Sequence, residues 1–206
     1  MENKFAQLPP KKQQCIINAA LEVFSKNEYK HASTEDIAAK AGISKGLLFY
    51  YFENKKSLYK YVYDYCCTMM AQQAHTDTLA GITDFFDLLT AGAEMKSRLL
   101  AQNPYLLDFS MRTFFLKDGD VGKIMQTEMQ NGISTVYARY FQHVDFTKFR
   151  AGVAPAQLLQ MLMWMTEGYL QEKQRLGTPV SATEIMQDIS TWAAMFKQMT
   201  YKEEYL

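Results

Sequence analysis

Cysteine is scarce in this 206-residue chain, which contains only Cys15, Cys66 and Cys67. An odd number of cysteines without CxxC spacing argues against a disulfide framework and against a zinc site. The adjacent pair Cys66–Cys67 leaves a thiol redox sensor as an alternative. Neighbouring residues on a helix point about 100° apart, so a disulfide between them would require local unwinding. We therefore interpret the three cysteines as small buried hydrophobic residues.

Proline and glycine are also few, and no apolar run is long. Five prolines and ten glycines are too few for a linker-rich or disordered protein. The longest purely apolar stretches fall well short of the ~18 residues that a membrane span needs, and the first residues lack the apolar run of a signal peptide. We therefore expect a cytoplasmic protein with no membrane partner. An apolar share of 48% can fill a sizeable core, in one domain or two.

Motifs of catalysis and metal binding are missing as well. The three histidines, His31, His75 and His143, are scattered, and we find no HExxH, no glycine-rich phosphate loop and no nucleophile–base pair. The pairs His75-x-Asp77 and His143-x-Asp145 could be metal-site fragments, but two ligands without others are better explained by chance. We expect no enzyme activity, no cofactor and no metal.

Net charge is zero, but the charges are unevenly distributed. Residues 1–60 contain ten Lys/Arg and six Asp/Glu, a balance of +4, whereas residues 61–206 contain twelve and sixteen, a balance of −4. A modestly positive end beside a modestly negative remainder is typical of a DNA-binding head attached to a part that does not bind DNA. By itself this asymmetry is a weak indication.

Helical periodicity runs through the whole chain, and no strand pattern competes with it. We therefore predict an all-α fold of about nine helices. The predicted helices are one over approximately residues 11–26, two short ones within 34–54, and six over approximately residues 55–75, 82–102, 104–116, 122–142, 155–176 and 181–199. We predict two domains, one over 1–54 and one over 55–206, with helix 55–75 connecting the two.

The stretch from Thr34 to Lys55 predicts a helix–turn–helix. Gly42 can supply the left-handed residue that ends the first helix, and Ser44 can cap the second. Leu48 and Phe52, four residues apart, share one face of that second helix. A helix–turn–helix of this kind places its second helix in the DNA major groove.

The same stretch resembles the tetracycline-repressor (TetR) family of bacterial transcriptional regulators. That family's signature combines a threonine, IAxxAG, Ser-x-Gly, an aromatic run that ends in phenylalanine and a lysine three residues later. The matching residues are Thr34, Ile37-Ala38, Ala41-Gly42, Ser44-Lys45-Gly46, Phe49-Tyr50-Tyr51-Phe52 and Lys55. The resemblance covers about a quarter of the chain, and it also includes residues 19–24 of the first helix.

The resemblance implies a homodimer that binds a near-palindromic double-stranded DNA operator, with one recognition helix of each subunit in a major groove. The implied DNA-contacting residues are Thr34, Ser44, Lys45, Gly46, Leu47, Phe49, Tyr50, Tyr51 and Lys55. Lys45 and Lys55 would neutralise phosphates, and Leu47 would contact a base edge or a thymine methyl. Phe49 stands where the family often has tyrosine, so a phosphate hydrogen bond would be missing there.

The resemblance implies that residues 1–54 are the DNA-binding domain and that residues 55–206 are a helical effector-binding and dimerisation domain. Residues 158–165 are apolar nearly all round, which indicates burial on two faces, and the last helix has a narrower apolar stripe. The predicted interface residues are Leu158, Leu162, Ile185, Ile189, Trp192 and Phe196. Methionine and aromatic residues suggest an adaptable apolar pocket, although ordinary core explains each of them singly. The predicted pocket residues are Met95, Phe109, Met111, Arg112, Phe115, Trp164, Met165 and Tyr169.

We therefore hypothesise a transcriptional regulator, a repressor that a small apolar or aromatic effector releases from its operator. A non-specific architectural DNA-binding protein is one alternative, and its affinity would barely distinguish an operator from random duplex. A redox- or metal-sensing regulator that uses the cysteines or histidines is another.

Overall fold

The computed structural model describes residues 4–74, 79, 81–116 and 119–206. These residues form nine α-helices: α1 Pro10–Lys26, α2 Thr34–Lys40, α3 Lys45–Phe52, α4 Lys55–Ala74, α5 Phe85–Gln102, α6 Pro104–Phe115, α7 Gly119–Tyr140, α8 Pro155–Arg175 and α9 Ala182–Thr200. Short 3-10 helices lie at Phe141–His143, Phe146–Lys148 and Glu203–Tyr205. The predicted all-α fold is confirmed. None of the helices in these ranges is long and apolar enough to cross a membrane.

Several helices begin at an N-cap residue. The first amides of a helix have no hydrogen-bond partner within it, so a side-chain oxygen at the N-cap accepts from one of them. Ser33 begins α2, Asn103 begins α6 and Ser181 begins α9, each by accepting a hydrogen bond from an amide of the first turn. The predicted start of α5 at Ile82 is wrong by three residues. The carboxylate of Asp84 accepts from the amides of Phe86 and Asp87, so the helix starts after it.

Two other helix boundaries also bear on the predictions. Helix α7 begins at Gly119, three residues before its predicted start at residue 122. The end of α4 that we predicted near His75 falls outside the described residues, since that residue is not among them.

The chain divides into two compact units. The head unit comprises Met1–Ala71 and Gln102–Thr135, and the body unit comprises Gln72–Ala101 and Val136–Leu206. The head unit therefore includes the first three helices, most of α4, all of α6 and most of α7. The two units are defined by how the residues pack. The predicted domains 1–54 and 55–206 are instead defined by their expected functions, and those limits stay a prediction.

The core of the head unit joins α1, α4 and α6 through aromatic rings. The rings of Phe24 and Tyr59 are 4.8 Å apart, and those of Tyr59 and Phe109 are 5.1 Å apart. The Thr113 hydroxyl donates to the carbonyl of Phe109 at 2.8 Å, so the Tyr59 hydroxyl, 2.9 Å from the Thr113 oxygen, is the donor of that buried hydrogen bond. Arg112 also reaches the end of α1, donating to the Ser25 carbonyl at 2.5 Å. Helix α6 is thus fixed to the helix that supports α2 and α3.

The body unit has an aromatic core of its own. It is built from Phe85, Phe86, Phe141, Phe149 and Tyr201, all of them buried, with ring centroids about 5–6 Å apart. Backbone hydrogen bonds pair residues 148–150 with 200–202, including Arg150 N to Thr200 O at 2.8 Å. The segment after α9 is thereby held on the core.

A charged cluster lies at the edge of this aromatic core. Asp84 is only 7% exposed, and its carboxylate pairs with Lys148 at 2.9 Å and with Lys197 at 3.4 Å. Lys197 also pairs with the exposed Asp87 at 3.1 Å. The Tyr201 hydroxyl accepts the amide hydrogen of Phe85 at 3.2 Å. The cluster therefore connects the start of α5 with the 3-10 helix Phe146–Lys148 and with α9.

Candidate nucleic-acid interface

The turn between α2 and α3 has the geometry that the sequence predicts. Gly42 has φ +63°, a left-handed conformation that favours glycine. The hydroxyl of Ser44 accepts the amide hydrogen of Leu47 at 3.1 Å and caps α3. The Nζ of Lys12, on α1, lies 3.3 Å from the carbonyls of Ala41 and Gly42 and holds the turn from the other side.

Helix α3 presents one side to solvent because its other side is buried. Leu48 is fully buried and Phe52 is 5% exposed, which fixes the rotation of the helix about its axis. Leu47 and Tyr50 are consequently exposed, at 37% and 56%. Lys45 and Gly46 are exposed at its N-terminal end. We call Lys45, Gly46, Leu47 and Tyr50 the recognition surface.

The charge of Lys45 is partly neutralised within the chain. Its ammonium pairs with the carboxylate of Glu35, in the first turn of α2, and the hydrogen bond from Lys45 lowers the pKa of Glu35 to about 2. Both side chains are about half exposed. A phosphate that binds Lys45 must therefore compete with a nearby carboxylate, which the sequence pattern did not reveal.

The other predicted contact residues differ in exposure. Thr34 is buried, at 7% exposure, and its hydroxyl donates to Glu35 at 3.3 Å. Ser44 is exposed, but its oxygen is used in the cap. Phe49 and Tyr51 are half-buried. Their roles in DNA binding stay predictions.

Lys55 has intramolecular partners at the end of the turn between α1 and α2. Its Nζ donates to the carbonyls of Ala32 at 2.9 Å and Lys30 at 3.2 Å, and it lies 4.8 Å from the centre of the Tyr29 ring. Burial lowers the pKa of Lys55. Two of its three N–H donors are therefore used inside the head unit, so its predicted phosphate contact can involve only part of its bonding capacity.

Replacing Lys55 by glutamine is expected to destabilise the protein by about 1–2 kcal/mol, because two carbonyls of the α1–α2 turn lose a charged donor. Urea unfolding of this variant measures the loss. Lys56→Gln, at the exposed neighbouring position, is the control and should change stability by less than about 0.5 kcal/mol. Equal stability of the two variants, with a reduced salt dependence of DNA binding for Lys55→Gln alone, would instead favour the phosphate role.

The predicted pocket residues fall into both units. Phe109, Met111, Arg112 and Phe115 belong to the head unit, and Met95, Trp164, Met165 and Tyr169 belong to the body unit. Phe109 is core, and Arg112 is bonded to the end of α1. Trp164 is 62% exposed, and Tyr169 packs edge-on against Trp192. The pocket stays a prediction.

The predicted interface residues of α8 and α9 differ in burial, and their place in a dimer stays a prediction. Leu158 and Leu162 are buried within the chain, and Ile185, Ile189, Trp192 and Phe196 are half-buried. The exposed large apolar residues of these helices are instead Met161, Trp164, Met165, Met195 and Met199. A nearly uniform apolar sequence in α8 could not show which face is internal.

The surroundings of the cysteines and of the possible metal ligands give little support to the alternative of a thiol or metal sensor. Burial raises the pKa of Cys66 to about 12, which disfavours the thiolate that redox chemistry needs. Cys15 is exposed, so its predicted burial is wrong, and Cys67 is half-buried. Among the described residues, no three His, Cys, Asp or Glu side chains are grouped as metal ligands. His75 and Asp77 lie outside those residues.

Residues 16–62 match the family model of bacterial regulatory proteins of the tetR family. The matched segment contains residues 16–26 of α1, all of α2 and α3, the turn that Gly42 forms and the first two turns of α4. The resemblance to the TetR family that the sequence predicts is thus confirmed. No curated protein matches the chain.

Similar solved structures include three regulators of low sequence identity. The fatty acid degradation regulator FadR from Bacillus halodurans is 16% identical, with 87% of this chain and 96% of that chain covered and a TM-score of 0.68. FadR from Bacillus subtilis, solved in complex with stearoyl-CoA, is 14% identical, with coverages of 87% and 96% and a TM-score of 0.64. SmeT, the repressor of the Stenotrophomonas maltophilia multidrug efflux pump SmeDEF, is 15% identical, with coverages of 98% and 95% and a TM-score of 0.64.

Proposed function

We propose that this chain, whose residues 16–62 match the tetR family, is a ligand-responsive transcriptional repressor that binds a palindromic operator as a homodimer. The observation that carries the proposal is the recognition surface. A capped helix with two buried residues on one side and Lys45, Gly46, Leu47 and Tyr50 exposed on the other is shaped for the major groove.

The chemistry of the recognition surface suits both kinds of DNA contact. The amides at the start of α3 and the charge of Lys45 favour phosphate oxygens. Leu47 offers an apolar surface for a thymine methyl, and Tyr50 offers a hydroxyl on an exposed ring. Specific binding follows from the base contacts, and the alternative of a non-specific architectural protein lacks them.

Selection of duplexes from a random pool tests this proposal. The wild-type protein should enrich a sequence with twofold symmetry and bind it at least about 1,000-fold more tightly than a random duplex. Equal affinity for selected and random duplexes would favour the architectural alternative. Failure to bind any duplex at physiological salt would contradict DNA binding altogether.

The exposed apolar face of α8 and α9 supports the homodimer. By helical spacing, Met161, Trp164 and Met165 share one side of α8, and Met195 and Met199 share one side of α9; each of them is at least 37% exposed. An open groove on α9, lined by small and polar residues such as Ser190, Thr191 and Ala194, lets another helix approach closely. Two copies of such a face would form a four-helix seam.

Trp164→Glu is expected to convert the dimer to a monomer, because it places two charges in the apolar seam. Sedimentation should show twice the chain mass of 23.8 kDa for the wild type and the single mass for the variant. Trp164→Phe, which keeps an aromatic ring, should remain dimeric. A wild type that sediments as a monomer would rule out this interface.

We propose an apolar effector because the chain is rich in methionine and aromatic residues and because a protein of similar fold was solved with stearoyl-CoA. Stearoyl-CoA is therefore the first probe. If acyl chains are the effector class, it should release the selected duplex, and free coenzyme A should not. If only aromatic compounds release the duplex, the effector is aromatic and not an acyl chain.

A further inference from the structure

Phe5, which precedes α1, packs on α3. Phe5 is 1% exposed, and its ring lies 4.7 Å from that of Phe52, 5.0 Å from that of Tyr61 and 6.0 Å from that of Tyr51. The side-chain amide of Gln13 also holds this segment, by donating to the carbonyls of Leu8 at 2.7 Å and Ala6 at 3.2 Å. Phe5 is therefore a core residue of the head unit. Because Lys4 directly precedes it, the burial of Phe5 fixes the position of the Lys4 backbone.

Lys4 lies directly on the recognition surface. Its Nζ is 4.1 Å from the centre of the Tyr50 ring, within the range of a cation–π interaction. No carboxylate of the described residues pairs with it. A cation–π contact leaves the N–H donors of an ammonium free to bind an anion on the side away from the ring.

Most other lysines of the head are already paired. Residues 1–60 contain ten lysines, and six of them bind carbonyls or carboxylates within the head unit: Lys12, Lys26, Lys40, Lys45, Lys55 and Lys60. Of the other four, Lys4 is the one that contacts an exposed ring of α3. The positive charge over the Tyr50 ring thus comes from a residue outside the helix–turn–helix.

We propose that Lys4 is a DNA-binding residue that contacts a backbone phosphate beside the groove occupied by α3, and that Phe5 is the positioning residue that holds it there. The ligand is a phosphodiester, and the contact carries charge rather than base specificity. This inference rests on the proposed DNA-binding function and adds a contact element that lies before the segment 16–62 matched by the family model.

The salt dependence of DNA binding tests the proposal with the full-length protein and a selected duplex. Lys4→Gln should weaken binding roughly tenfold and reduce the slope of log K against log salt by about 2, one phosphate contact for each subunit. Lys4→Arg should keep both the slope and the affinity close to the wild type. Lys123→Gln is the control, since Lys123 is an exposed residue of α7 outside the recognition surface.

Random-sequence duplex is the second probe, because a phosphate contact weakens binding to every sequence to a similar extent. A Lys4→Gln slope equal to that of the wild type and of Lys123→Gln would overturn the proposal while leaving the proposed function intact. A loss confined to the selected duplex would also overturn it, since that result would assign base specificity to Lys4. A wild type without salt-dependent DNA binding would overturn the proposed function, and this inference with it.

Discussion

Replacing Asp84 by asparagine is expected to lower the free energy of unfolding of the body unit by about 2–3 kcal/mol. The substitution leaves Lys148 without its carboxylate and removes one of the two partners of Lys197. Breaking a buried ion pair on one side costs more than the pair contributes net, because the remaining charge stays desolvated. Asparagine can still cap α5, so the loss measures the charge and not the cap.

Tryptophan fluorescence during urea unfolding provides the measurement. Both tryptophans, Trp164 and Trp192, belong to the body unit, so the signal reports on this unit. Asp87→Asn is the matched control, because Asp87 pairs with the same Lys197 but is 63% exposed. It should cost less than about 1 kcal/mol. An equal loss of unfolding free energy in the two variants would show that the buried ion pairs of Asp84 contribute no more than the exposed pair of Asp87.

The contribution of Asp84 should also disappear in acid. Burial raises the pKa of Asp84, but the hydrogen bonds from Lys148 and the Asp87 amide and the charges of Lys197 and Lys148 lower it by more, so its net pKa is below the usual value. A carboxyl whose pKa is lowered by folding stabilises the protein above its unfolded pKa and loses that contribution as pH falls through the folded pKa. The stability difference between wild type and Asp84→Asn should therefore shrink below about pH 4. A difference that persists at about pH 2 would contradict the ion pair.

Gly46→Glu is expected to abolish operator binding without unfolding the head. A Cβ atom at Gly46 would meet only the Ser44 oxygen, at 3.9 Å, so the free protein has space for a side chain. Glutamate at the start of a helix is also compatible with the helix dipole. In the complex, however, the same side chain would place a negative charge against DNA and keep α3 from the groove. We expect affinity to fall more than 100-fold, by about 3 kcal/mol or more.

Gly46→Ala separates the size of the side chain from its charge. Alanine should stabilise the free protein by about 0.5–1 kcal/mol, since glycine is unfavourable in a helix. Its affinity for DNA should lie between those of the wild type and Gly46→Glu. Fluorescence anisotropy at about 150 mM salt measures the affinity, and thermal melting measures the stability. An unchanged affinity for Gly46→Glu would exclude the N-terminal end of α3 from the interface.

The helix–turn–helix could be predicted from the sequence because its determinants are local. Gly42 and Ser44 act on the adjoining turn, and Leu48 and Phe52 share a face through helical spacing alone. Residues this close in sequence constrain one another before any tertiary contact forms. The predicted family and fold class follow from the same short segment and from continuous helical periodicity.

The partners of the charged residues could not be predicted, because they are distant in sequence. The two carbonyls that Lys55 binds are 25 and 23 residues away, and Lys148 is 64 residues from Asp84. Phe5 gave no periodic signal, since it stands alone before the first helix. In α8, apolar residues on every side concealed the distinction between buried Leu158 and exposed Trp164. Where the apolar pattern is uniform, or where two partners are distant in sequence, burial and pairing can be read only from the folded structure.

Six of the ten lysines in residues 1–60 have partners within the chain, which has a consequence for how the proposed repressor would search DNA for an operator. Binding to random DNA depends on phosphate contacts, and cations that already have partners contribute fewer of them. A weakly held complex on random DNA dissociates quickly, so each sliding encounter covers only a short length of duplex. The search should then proceed mainly by hopping through solution, and the bulk of the chromosome would retain less of the protein away from its target.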